Sequence, residues 1–145
     1  MENIYATCVD INGYGVLITG DSGSGKSDLA LRLIENKGAV LVSDDRTDLD
    51  NENGNLIASS AKNIEGLMEI RGIGILKMPF KSTTKVKLVV VSALKKNIER
   101  YPIETFFESQ GVPVASIFLD LLEASAPDKV VVKLKSILAH DKQNT

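Results

Sequence analysis

Cysteine, histidine and arginine are all scarce in this chain of 145 residues. Cys8 is the only cysteine, which excludes a disulfide within the chain. It stands in an apolar stretch and reads as a small buried hydrophobe. His140 is the only histidine and falls near the end of the last expected helix, where it reads as a C-terminal cation or solvent group. Arginine occurs at four positions: 32, 46, 71 and 100. No apolar run is long enough to span a membrane, and Met1-Glu2-Asn3-Ile4 carries no basic leader, so neither a membrane nor a secretory route is expected. Net charge is −2, and the densest basic run, Lys81 to Lys87, reads as a solvated loop and strand edge. Nucleic acid is therefore a poor partner. What remains is ordinary globular composition, 43% hydrophobic and 25% charged, which suits one domain over residues 1–145 in a reducing cytoplasm.

The strongest positive signal is Gly20-Asp21-Ser22-Gly23-Ser24-Gly25-Lys26-Ser27, the pattern G-x-x-x-x-G-K-S. It lies between the apolar run Val16-Leu17-Ile18 and a helical run from Asp28 to Glu35. A strand delivers the chain to the loop and the loop opens a helix. Backbone N–H groups and the positive end of the helix dipole then point at one place, which suits a phosphate. Lys26 would reach the outer phosphates and the Ser27 hydroxyl would hold Mg²⁺.

The rest of the chain reads as strand-rich. Strands are expected at residues 4–11 and 15–19, joined by the hairpin turn Asn12-Gly13. The helix over 27–36 buries Leu29, Ala30, Leu33 and Ile34, turns Asp28, Arg32 and Glu35 outward, and ends at Gly38. A short buried strand, residues 39–42, leads to Asp44-Asp45. Residues 47–55 are polar and read as a turn; strands follow at 55–60, 66–71 and 85–92. Gly72-Ile73-Gly74 is a loop, and residues 94–101 form a short helix or turn stopped by Pro102. A late strand pair, 105–110 and 114–119, is joined by Gly111-Val112-Pro113. Ser125-Ala126-Pro127 opens a final helix with Val130, Val131, Leu134, Ile137 and Leu138 on its apolar stripe, and the last five or so residues are expected to fray. One helix after the loop and many strands point to a mixed sheet with few helices.

Phosphoryl transfer needs a cradle, a metal, a base for the acceptor, and positive charge on the moving group. Asp44 and Asp45 follow a strand where a metal-binding carboxylate would stand. Adjacent strand residues point to opposite sides, so one is expected to face a metal and the other an incoming hydroxyl. Glu69 and Arg71 share one side of the next strand. They fit a metal ligand beside a phosphate-reading guanidinium, though from the residues alone a cross-strand ion pair is narrowly favoured. Arg100 carries little signal alone.

Taken together and in this order, these clusters resemble the catalytic domain of HPr kinase/phosphorylase, which phosphorylates a serine of HPr-type phosphocarriers of the sugar phosphotransferase system. The resemblance rests on Gly15 to Gly23, Gly25-Lys26-Ser27, Asp44-Asp45, Glu69-Ile70-Arg71-Gly72-Ile73-Gly74 and Glu99-Arg100. Gly111-Val112-Pro113, Leu119-Asp120 and Glu123 to Pro127 are similar to the short alphaproteobacterial form, which lacks the separate N-terminal domain of the long enzymes. The resemblance implies an α/β fold, the phosphate-loop kinase domain of the HPr kinase and phosphoenolpyruvate carboxykinase type. It implies ATP and Mg²⁺, with Lys26 on the transferred phosphate, Ser27 and Glu69 as Mg²⁺ ligands, Asp45 as acid/base with Asp44 beside it, and Arg71 and Arg100 stabilising negative charge. It implies an HPr-like phosphocarrier as partner and a homo-oligomer, the long enzymes being hexamers. Tyr5 stands where the family usually has a histidine near the catalytic acids; it can donate a hydrogen bond but does not titrate near neutral pH. The C-terminal Pro-Gly-Arg-Asn segment linked to dephosphorylation is absent. Both departures bear on the reverse reaction. A nucleotide-binding regulatory module with little catalysis is the alternative. A small-metabolite kinase would need an arginine-bearing lid, and a GTPase would need N-K-x-D and D-x-x-G motifs that do not follow the loop.

Overall fold

A computed structural model describes residues 1–143; Asn144 and Thr145, the end of the expected frayed tail, lie outside the described residues. The chain opens with β1 (Glu2–Ile11) and β2 (Tyr14–Thr19), an antiparallel hairpin closed by Asn12 and Gly13, both at positive φ. The phosphate-binding loop then leads into α1 (Lys26–Lys37). Five short strands follow: β3 (Val40–Ser43), β4 (Arg46–Glu52), β5 (Asn55–Ser59), β6 (Leu67–Ile70) and β7 (Gly74–Lys77). The chain ends with β8 (Thr83–Ser92), β9 (Thr105–Ser109), β10 (Val112–Leu119) and α2 (Ala126–Gln143).

Eight strands form one mixed sheet in the order β2-β1-β4-β5-β8-β10-β9, with β3 also on β1. A further β2–β8 pairing closes a circuit of five strands, β1-β2-β8-β5-β4. Two cores result. One fills the space between the sheet and both helices, where Val9, Val16, Ile18, Leu88 and Val90 meet Leu29, Leu33, Val130 and Leu134. The other lies on the opposite face and joins Ala6, Cys8, Leu17, Leu49, Leu56, Val86 and Val89. Alternation along β1, β2 and β8 sends successive residues to opposite cores, which is why these strands read as continuous apolar runs. Strands β2, β8 and β10 are mutually parallel, and their carboxyl ends gather around the phosphate loop.

Local departures from the pattern have physical causes. Residues 47–52 are not a turn: Thr47 and Leu49 are fully buried, while Asp50 and Asn51 face out, so β4 alternates with too few apolar residues to announce itself. Strand β7, exposed along its whole length, carries no burial signal and exists only as the partner of β6. The β9–β10 turn is Gln110-Gly111, and Pro113 lies inside β10 opposite Glu108. That end of β10 pairs on one side only, where a missing N–H is tolerated. Helix α2 runs through Gln143, into the stretch expected to fray. Arg32 is not turned outward: besides its Asp28 pair it donates to the carbonyls of Leu121 and Glu123.

One buried carboxylate knits the sheet together. Asp10 Oδ2 accepts from Thr84 Oγ1 at 2.6 Å and from Lys81 Nζ at 3.0 Å, and Oδ1 accepts from the Gly13 N–H at 2.8 Å. Burial pushes its carboxyl up, but these three donors and the lysine charge outweigh burial and hold it below the usual carboxylate range. Cys8, fully buried one pleat away, has its thiol pushed up by burial and then by the Asp10 charge, so it stays protonated and inert.

Candidate functional site

Helix α1 begins without a side-chain cap, so its first N–H groups face the loop that precedes it. Gly25 occupies the N-cap at φ +105°, and a Cβ there would lie 2.7 Å from Leu122 Cδ2, so only glycine fits. A Cβ on Gly20 would meet Ser24 Oγ at 2.6 Å and Ser92 Cβ at 2.7 Å. Lys26 is 6% exposed; its ammonium curls back to the carbonyls of Gly20, 2.9 Å, and Asp21, 3.1 Å. The loop is thereby wound around a cation that has no carboxylate partner among the described residues.

A cavity of about 460 Å³ opens over this loop. Ser22, Gly23, Gly25, Lys26 and Ser27 line its floor. Asp44 and Asp45 line one wall, Glu69 and Arg71 come from the β6–β7 ribbon, and Leu122 closes the far end. Gly20, Asp21 and Ser24 shape the loop from behind its surface. The sequence-derived acids, loop and ribbon therefore converge. No ion pair joins Glu69 to Arg71 among the described residues, and both side chains are exposed to the cavity.

The two aspartates do not alternate along a strand. Strand β3 ends at Ser43, opposite Cys8, and β4 resumes the same edge of β1 at Arg46, opposite Tyr5, so Asp44 and Asp45 form a two-residue kink with no change of register; the register slip lies one step earlier, between the pairs at Val9 and Cys8. Asp45 takes φ +66°, a left-handed conformation that aspartate tolerates better than most residues. The Ser43 hydroxyl donates to the Arg46 carbonyl across the base of the kink, and the Ala6 N–H donates to the Asp45 carbonyl at 3.0 Å. Asp44 is the hub. Its Oδ1 accepts from Ser27 Oγ at 2.6 Å and Thr7 Oγ1 at 3.1 Å, and its Oδ2 accepts from the Glu69 N–H at 3.1 Å. One carboxylate thus ties the helix start, the central strand and the ribbon together.

Two expected residues stay outside this group. Tyr5 pairs with Arg46 across β1 and β4, and the Arg46 guanidinium lies 3.5 Å from its ring centroid; the ring is 60% exposed and does not line the cavity. Arg100 is exposed beyond the short turn at 95–97, with its guanidinium 5.9 Å from the Tyr101 ring, and does not line the cavity either. His140 lies in the last turn of α2, as expected, and does not line the cavity. Conversely, Thr7, Leu122 and Arg32 escaped the sequence reading. Thr7 carried one usable signal: it is a lone hydroxyl in an apolar strand, and a buried hydroxyl needs partners. Leu122 carried none, because its role depends on a chain reversal that Arg32 clamps.

The cradle fits a polyphosphate. Ser24 Oγ is buried with no hydrogen-bond partner among the described residues, and the space beside Gly20 and Gly25 admits backbone but no side chain. The oxygens around Asp44 fit a hard divalent cation. Among the described residues no three His, Cys, Asp or Glu side chains form a metal-binding group. A hydroxyl and one or two carboxylates is the donor set of Mg²⁺, which keeps its waters and takes further ligands from substrate phosphates.

Known proteins were then compared with the chain. Residues 1–131 match the model of the HPr Serine kinase C-terminal domain. An HPr kinase/phosphorylase of Clostridium botulinum is 48% identical over 73 residues, covering 50% of this chain and 24% of that protein. One of Lactobacillus acidophilus is 42% identical over 97 residues, covering 61% and 30%. The chain spans about a quarter of the length of the curated relatives it matches. A solved structure, the Hpr(Ser) kinase/phosphatase from Coxiella burnetii, superposes with a TM-score of 0.80 at 26% identity, over 99% of this chain and 98% of that one. The fold is accordingly the mixed, strand-rich α/β architecture of a phosphate-loop kinase. With nine-tenths of its length under one family model and its backbone matched end to end, the chain belongs to the family of the HPr serine kinase C-terminal domain.

Proposed function

We propose that this chain transfers a phosphoryl group from ATP to a serine of an HPr-like phosphocarrier, and that residues 1–145 act as one catalytic domain. The observation that carries this reading is the Asp44 carboxylate, shared between Ser27 at the helix start and the Glu69 N–H of the ribbon, with no lysine, arginine or histidine paired to it among the described residues. Helix-start N–H groups and Lys26 hold the polyphosphate; the lysine exchanges its bonds to the Gly20 and Asp21 carbonyls for phosphate oxygens. Ser27, Asp44 and Glu69 hold Mg²⁺, which when bound neutralises charge on the transferring group. Asp45 accepts the proton of the acceptor hydroxyl as its oxygen attacks phosphorus. Arg71 adds positive charge at the cavity mouth. With inorganic phosphate in place of ADP, phosphate attacks the phosphoserine phosphorus to give pyrophosphate, the bond from phosphorus to the serine oxygen breaks, and Asp45 returns the proton to that oxygen.

The exposed edge strand β9, with Phe106, Tyr101 and Ile103 bare around it, supports a homo-oligomer. Arg100 belongs to the same segment. The free thiol of Cys8 suits a cytoplasmic setting. No helix among the described residues is long and apolar enough to cross a membrane. The test is incubation with ATP, Mg²⁺ and an HPr-like carrier, read by intact mass. Gain of one phosphate on a carrier serine is the expected result. ATP binding without transfer to any carrier would replace this reading with a regulatory nucleotide module.

A further inference from the structure

Thr7 sits at the middle of β1, with 0% of its surface exposed, opposite the kink that carries both aspartates. A hydroxyl has one proton to give and lone pairs to receive. Thr7 uses both. Its Oγ1 donates to Asp44 Oδ1 at 3.1 Å and accepts the Asp45 backbone N–H at 3.1 Å. We infer that Thr7 is a positioning residue that sets the separation and orientation of the two acids, acting on Asp45 more than on Asp44.

The asymmetry follows from the bonds that remain when the hydroxyl is removed. Asp44 would keep Ser27 Oγ and the Glu69 N–H. The Asp45 N–H would keep nothing, because Thr7 is its sole acceptor among the described residues. Asp45 also takes φ +66°, the less populated conformation, so its geometry depends on being tied down. Freed of the tie, the N–H is left unsatisfied beside a buried strand, and the kink relaxes to solvate it. Thr7 also shares the helix-side face of β1 with Val9 and Ile11, so a side chain of the same shape fills its place without opening the core.

This inference deepens the kinase reading and rests on it for the kinetic half of its test. Thr7→Val keeps the shape and removes both bonds; Thr7→Ser keeps both bonds. With MgATP and an HPr-like carrier, Thr7→Val is expected to lower kcat on the order of tenfold to a hundredfold, the effect of misplacing a reacting group by about 1 Å, while the KM for ATP stays within about threefold. Thr7→Ser is expected to restore kcat. A merely structural role would alter yield and melting temperature without this split. The second arm needs no turnover: amide hydrogen exchange followed by NMR in the full chain. The Asp45 amide should exchange at least about tenfold faster in Thr7→Val and at the native rate in Thr7→Ser, with the amides of Leu88 and Val89 unchanged as a measure of global stability. Unchanged Asp45 exchange in Thr7→Val overturns the inference even if no carrier is ever phosphorylated. Native exchange rates with no transfer by the unsubstituted chain would instead count against the kinase reading.

Discussion

Asp10 and Asp44 are two carboxylates held in nearly the same way and left in opposite states. Each accepts from a threonine hydroxyl, Thr84 for Asp10 and Thr7 for Asp44, and each accepts one backbone N–H. Asp10 is 4% exposed and has the Lys81 ammonium at 3.0 Å. Asp44 has no lysine, arginine or histidine within ion-pair distance among the described residues and opens onto the cavity beside Ser27. The protein completes the charge of one and leaves the other oriented but uncompensated. An oriented, uncompensated carboxylate next to a phosphate cradle is built for a cation that arrives with the substrate.

The sharpest way to break this contrast is to remove the loop's own cation. Lys26→Ala should lower phosphoryl transfer about a thousandfold while the circular dichroism spectrum is kept, since the ammonium bonds only to loop carbonyls. Near-native turnover would remove the loop from the mechanism.

Next comes the paired substitution. Asp44→Asn should lower transfer on the order of a hundredfold with a stability change under about 1 kcal/mol. Asp10→Asn should do the reverse. It is expected to lower the unfolding free energy in urea by about 1–3 kcal/mol, the range for hydrogen bonds to a charged group, and to leave the rate of the folded fraction within about twofold. Equal kinetic losses from both would erase the distinction drawn here.

The contrast extends to pH. The Asp10 carboxyl is held below its ordinary value in the folded chain, so its contribution is complete above the unfolded carboxyl range near pH 4 and is lost as pH falls through the lower folded value. The stability gap between the native chain and Asp10→Asn should therefore stay constant from about pH 7 to 5 and close below about pH 4. A gap that widens on acidification would reverse the assignment.

The smallest effect belongs to Tyr5. Its ring stacks under Arg46 and does not line the cavity, so Tyr5→His should change stability by less than about 0.5 kcal/mol and transfer by less than about threefold. A tenfold gain in rate would restore this position to the site.

What could be read along the chain was whatever the chain makes locally. The hairpin at Asn12-Gly13, the glycine-lined turn into α1, the apolar stripe of Leu29, Ala30 and Leu33, and the reach of Lys26 back to its own loop all join residues close in sequence. Asp44, Asp45, Glu69 and Arg71 could be picked out by type and spacing, and the tertiary structure gathered them on one cavity. The tertiary structure alone decided how they are held. Bonds from Thr7 to Asp44 and Asp45 span 37 and 38 positions, and the one from Glu69 to Asp44 spans 25. Strand β4 declared itself only once β1 and β5 lay on either side of it, and Arg100 and Tyr5 went elsewhere because their own strand and turn partners were nearer. A residue's chemistry is carried by its side chain, but its partners are chosen by sheet register, and register is a property of strands that meet only after the chain has folded.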